Sequence, residues 1–274
     1  MAWRSRGLRG LSGRMRPVWE RFRRTVSGRG VRGLAVAAGL AAALLPSVAA
    51  ATPQRVIILR HGEKKNGYEL CSVGVERAKA LASVYLGRNA GQTLFAHQPP
   101  SAFLAITLHT LELASPAAGQ WGLGVDDESV MPEPKRDDPH FVTKLNERTQ
   151  RAARSVLDDA RWDGKTVVMV WEHHHIADAK LEAQFPGEAV TLRQLLGLDT
   201  LPDVPQTWPG GNYDYFWIVD FDPAKGRAPV RFRMVKQVFG PPWQNLPAND
   251  WGAPEVLPPG SDCEHRETLP EGAD

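Results

Sequence analysis

Three apolar runs in this chain of 274 residues each end beside a histidine. Gln54–Leu59 runs into Arg60-His61, Ala102–Thr107 into Leu108-His109, and Thr166–Trp171 into Glu172-His173-His174-His175. With eight histidines in the whole chain, this convergence at run ends points to shared chemistry. Arginine offers a planar fork of donors that matches phosphate oxygens. A neutral imidazole beside it is a competent nucleophile near pH 7 and can form a covalent intermediate. Arg60 could therefore hold a phosphate dianion while His61 attacks phosphorus. His109 and His173 would add donors to the equatorial oxygens, and Gly62 would let the backbone approach the ligand.

The three runs are short and β-branched, as buried parallel strands are. Between and after them the apolar spacing predicts helices over Val73–Leu86, His109–Ala118 (interrupted early by Pro116), Phe141–Trp162 and His175–Phe185. Arg60–Tyr68 reads as a loop, and Gly122–Pro139 as an acidic, proline-containing one. Tyr213–Phe221 and Val230–Val238 read as a strand pair. Strand alternating with helix predicts an α/β fold: a three-layer sandwich, its central sheet mostly parallel, with helices on both faces. Ligands of such sheets bind beyond the carboxyl ends of the strands, which is where the histidines stand. Trp208, Trp243 and Trp251 either line a pocket wall or cap the core, and Tyr213 reads as strand packing.

Val56-Ile57-Ile58-Leu59-Arg60-His61-Gly62-Glu63, followed by a helix with Gly74, Arg77, Ala78 and Leu81, resembles the opening of the histidine phosphatase superfamily, the phosphoglycerate-mutase-like fold. The resemblance spans about residues 54 to 185. It implies phosphoric monoester hydrolysis through a phosphohistidine on His61, with Arg60 and His173 in the phosphate pocket; His174 and His175 are register alternatives. It also implies a second pocket arginine after the second strand. Here Thr107-Leu108-His109-Thr110-Leu111-Glu112-Leu113-Ala114 puts His109 at that position, one or two donors with a pH-dependent charge in place of a fork. The family's proton donor is matched by Glu133 in Met131-Pro132-Glu133; Leu145-Asn146-Glu147-Arg148 matches by letters but lies inside an amphipathic helix. Glu172 and Asp178 are spare acids. Glu63 is either a loop carboxylate or a support for Arg60. The replaced arginine leaves a second expectation beside hydrolysis: a degenerate member that binds a phosphorylated ligand, or serves structurally, without turnover.

The first 32 residues hold ten arginines and one acid, and an apolar run, Gly33–Leu45, precedes a small-residue stretch. Those are the marks of a secretory signal, so residues 1–51 are expected to be removed and the protein to be periplasmic or secreted. The alternative is a membrane anchor formed by the same segment left uncleaved. Residues 52–240 would form the domain and 241–274 a proline-rich tail packed on it or extending from it. Ten of the 33 basic residues but one of the 31 acidic ones precede Thr52, leaving the mature part at a net charge of −7. That composition argues against nucleic acid as a partner; a small phosphorylated substrate or inorganic phosphate is expected, and the oligomeric state stays open. Adjacent histidines do not converge on one ion without a sharply bent backbone, and no metalloprotease spacing is present, so neither metal nor other cofactor is expected. In an oxidising compartment Cys71 and Cys263 could pair and pin the tail.

Overall fold

The computed structural model describes residues 52–95, 98–128 and 138–264. Six strands form one sheet in the order β3-β2-β4-β1-β5-β6. They are β1 (Arg55–Arg60), β2 (Pro100–Ala105), β3 (Val125–Asp127), β4 (Thr166–Trp171), β5 (Tyr215–Phe221) and β6 (Pro229–Lys236). The first four in that order run parallel, whereas β5 runs antiparallel to β1 and β6 antiparallel to β5. The expected α/β sandwich is present. Alternation along β1 shows why both faces are covered. Val56 and Ile58 pack with α3 (Phe141–Asp158) and α6 (Leu192–Leu195), while Ile57 and Leu59 pack with α1 (Ser72–Leu81) and α2 (Leu108–Trp121). Strands buried on both faces have no polar side to display, and β4 is buried at every residue.

Several element bounds differ from the sequence expectation, each for a local reason. Pro116 does not interrupt α2, which continues to Trp121. The buried face Leu113, Ala114, Ala117 and Ala118 outweighs the roughly 3 kcal/mol that an interior proline costs. The acidic loop yields one edge strand, β3, paired to β2 with Phe103 opposite Val125. Helix α3 stops at Asp158, and the Asp159 carboxylate caps a separate 3-10 turn by accepting from the Arg161 N–H at 3.0 Å. The helix expected over His175–Phe185 is two: α4 (His173–Ile176) and α5 (Ala179–Gln184). Asp178 separates them, its Oδ1 accepting from the N–H groups of Lys180 and Leu181 as an N-cap does. Trp208 belongs to the core, 1% exposed and packed on Trp217 and Trp251.

Cys71 and Cys263 form a disulfide across a sequence separation of 192. It fastens the irregular C-terminal stretch to the start of α1, beside the loop that follows β1. Among the described residues no helix is long and apolar enough to cross a membrane. The expected signal segment, residues 1–51, lies outside them.

Candidate active site

Strands β2, β4 and β1 are neighbours, so their carboxyl ends open on one place. The register aligns Arg60 with Trp171, and the His61 N–H continues the ladder by donating to Trp171 O at 3.1 Å. His61 and Glu172 thereby leave the sheet side by side. Thr107, between β2 and α2, starts α2 with its N–H donating to Thr110 Oγ1 at 2.9 Å, which puts His109 in the first turn facing the same point. The ring centres of His109 and His173 lie 5.0 and 5.6 Å from that of His61. Arg60, His61, His109 and His173 are all buried. Four of the five residues expected at the site thus converge. The fifth, Glu133, lies outside the described residues.

The two closest contacts of His61 fit one tautomer. Its Nδ1 is 2.7 Å from Gly62 O, an atom that only accepts, so Nδ1 carries the proton. Its Nε2 is 3.0 Å from Arg60 Nη2, an atom that only donates, so Nε2 keeps its lone pair. Burial, then the charges of Lys64 and Arg60, hold the imidazole pKa well below its ordinary value. A neutral ring with Nε2 bare beside Arg60 is what nucleophilic attack on an anion requires, although the Glu172 carboxylate also stands 3.5 Å from the same Nε2. By the same reasoning His173, with Nδ1 3.3 Å from Arg60 Nη2, carries its proton on Nε2.

Arg60 is gripped more tightly than a simple fork. Its Nη1 donates to Gly210 O at 2.6 Å and lies 3.3 and 3.4 Å from Pro209 O and Asn212 O, and its guanidinium stacks 3.9 Å from the centre of the Tyr213 ring. Its Nη2 edge faces His61 and His173. The loop supplying these carbonyls is held in turn by the C-terminal stretch: Asn249 Nδ2 donates to Gly211 O and Asn212 Nδ2 to Asp250 O, both at 2.9 Å.

Glu172 stands at the centre. Its Oε1 accepts from Thr107 Oγ1 at 2.9 Å and from His109 Nε2, and its Oε2 lies 3.5 Å from His61 Nε2 and 3.7 Å from Lys64 Nζ. Burial pushes its pKa up, but Lys64, His109 and His61 together hold it well below the usual carboxylate range. His61, His109 and Glu172 could geometrically offer three ligand atoms to one ion. Arg60 and Lys64 flank them, however, and outnumber the Glu172 carboxylate, so the side chains of the pocket favour an anion over a divalent cation.

Other expectations fall elsewhere. Glu63 does not support Arg60; it forms a buried bidentate pair with Arg77, Nη2 to Oε1 at 2.6 Å and Nε to Oε2 at 2.9 Å. Gly62 and Gly74 pack against each other rather than toward a ligand; a Cβ on Gly74 would stand 2.3 Å from Glu63 O. His174 pairs with Asp178, and His175 Nε2 donates to Asn146 Oδ1 at 3.0 Å, so the register alternatives to His173 have other partners. Burial holds His175 down to a pKa of about 4. Glu147 is exposed on α3. Lys64 and Thr107 were not singled out from sequence, though both adjoin residues that were. Tyr213, expected as strand packing, precedes β5 and stacks on Arg60.

No family model matches the chain, and no curated protein matches it. It is similar to three solved structures in particular. One is Mycobacterial hydrolase 2, with 17% identity, 73% of this chain and 93% of that one covered, and a TM-score of 0.39. Another is mycobacterial glucosyl-3-phosphoglycerate phosphatase in complex with inorganic phosphate, with 17% identity, 67% and 96% covered, and a TM-score of 0.37. The third is the protein histidine phosphatase SixA complexed with tungstate, with 12% identity, 66% and 96% covered, and a TM-score of 0.35.

Proposed function

We propose that this chain hydrolyses phosphoric monoesters as a histidine phosphatase, with His61 Nε2 as the nucleophile. The observation that carries the reading is the pair of contacts on His61: Nδ1 bound to Gly62 O at 2.7 Å and Nε2 facing Arg60 Nη2 at 3.0 Å. They leave a neutral ring with its lone pair in a cationic pocket. Nε2 would bond to phosphorus as the ester P–O bond breaks, with Arg60 and the Nε2–H of His173 holding the phosphoryl oxygens. The leaving oxygen takes a proton from an acid, the role assigned to Glu133. Water then attacks the phosphohistidine, breaking the N–P bond and releasing inorganic phosphate. Export belongs to the same reading: residues 1–51 carry its sequence marks, and the Cys71–Cys263 bond suits an oxidising compartment.

Glu172, 3.5 Å from His61 Nε2, favours a second reading, a pocket that binds phosphate without turnover. A screen of phosphorylated substrates with the purified protein, run beside His61→Ala, separates the two. Turnover that depends on His61 supports hydrolysis. Phosphate binding without turnover supports the binder.

A further inference from the structure

A phosphorus poised for attack stands about 3–3.5 Å from its nucleophile. Glu172 Oε2 already stands 3.5 Å from His61 Nε2. The remaining contacts of that carboxylate are the ones a phosphoryl group would want. Lys64 Nζ lies 3.7 Å away, the Thr107 hydroxyl donates at 2.9 Å, and His109 Nε2 donates to the same oxygen. A carboxylate and a phosphoryl dianion cannot share one set of donors in a buried pocket, because like charges at this separation repel each other and burial weakens the screening.

We propose that Glu172 is an internal anion that occupies the phosphoryl seat and must be displaced by the ligand. The inference rests on the reading of the His61 pocket as a phosphate site. Its position explains two features together. The carboxylate gathers Lys64, the Thr107 hydroxyl and His109 on one side of His61. It also keeps His109 oriented, with Nε2–H directed at the seat, although the sequence offers no second arginine there. A tethered carboxylate loses no association entropy, so an incoming ligand must bring more charge and more acceptors than Glu172 does. A phosphomonoester dianion, with three terminal oxygens, meets that condition. A carboxylate or a phosphodiester, with one charge and two terminal oxygens, does not. Glu172 is thus a specificity-determining residue.

Isothermal titration of the full-length protein with tungstate tests this. Glu172→Gln and Glu172→Ala are expected to bind tungstate at least tenfold more tightly than the parent. Formate should compete with tungstate in Glu172→Ala, where it can refill the vacated seat, and leave the parent's affinity unchanged. A crystal of the parent with tungstate should show the Glu172 side chain turned away from His61, which keeps the test open if the variants do not fold. If the parent binds tungstate and the variants bind no more tightly, or if tungstate sits beside an unmoved Glu172, the inference is overturned and the phosphate-site reading stands. If neither parent nor variants bind, both fall.

Discussion

Glu63→Ala would leave the Arg77 guanidinium buried without its counter-ion. Both side chains are 1% exposed, and two of the guanidinium's nitrogens meet the carboxylate in a side-on pair. Its other hydrogen-bond acceptors are neutral, Gln237 Oε1 at 3.3 Å and Pro247 O at 2.8 Å, and Asp214 adds a weaker charge interaction. Burial alone would lower the Arg77 pKa, yet the charge and hydrogen bonds of Glu63, followed by the charge of Asp214, leave it raised, so the charged form leans chiefly on Glu63. Removing one member of a buried pair costs about 3–5 kcal/mol. In a domain of this size each kcal/mol moves Tm by about 2–4 °C, so the variant should melt about 6–20 °C below the parent. The double variant Glu63→Met/Arg77→Met should recover much of the loss, since apolar groups of similar volume often replace such pairs at little cost. Differential scanning calorimetry on the three proteins is the assay. A Glu63→Ala melting point within about 2 °C of the parent would refute the view that this pair fixes the loop after β1 onto α1.

His175 gives a pH signature. Its folded pKa is about 4 against about 6.5 unfolded, so the unfolded chain binds the extra proton first as pH falls. Its contribution is full above about pH 6.5 and declines toward pH 4. Urea unfolding at pH 7 and pH 5 should show about 2 kcal/mol less loss in His175→Gln than in the parent; identical losses would contradict the assignment. Reducing the Cys71–Cys263 bond should lower stability by about 2–4 kcal/mol, read as a lower urea midpoint with reductant. An unchanged midpoint would mean that the tail is held without it. Gly74→Ala should destabilise by more than about 1 kcal/mol, because its Cβ would meet Glu63 O at 2.3 Å; a neutral result in thermal melts would count against the close packing of the loop on α1.

What the sequence made legible follows from locality. β1 and β4 are continuous apolar runs, and the rule that ligands gather at strand ends led directly to Arg60, His61, His109 and His173. The choice of His173 over His174 or His175 depends on how the chain turns after Trp171, and letters alone leave three registers open. Glu172 was visible as a spare acid, but no local pattern says that a residue beside His173 turns inward onto His61. Glu63 finds Arg77 because Gly62 and Gly74 allow a close approach, a contact between two elements rather than a spacing. Tyr213 reaches Arg60 from the far side of β1, just before the antiparallel strand β5, and nothing in its neighbourhood announces it. Pro116 misled because propensity is a local preference, overridden where a buried helix face is at stake.

The most direct test of the central claim is a rapid quench of the protein with a radiolabelled phosphomonoester that it turns over, followed by peptide mapping. The label should lie on His61 as an acid-labile, base-stable phosphohistidine. His61→Ala should carry no label and lose several orders of magnitude in rate, equivalent to about 5 kcal/mol or more of barrier. Label on a serine or aspartate, or unchanged turnover in His61→Ala, would contradict it.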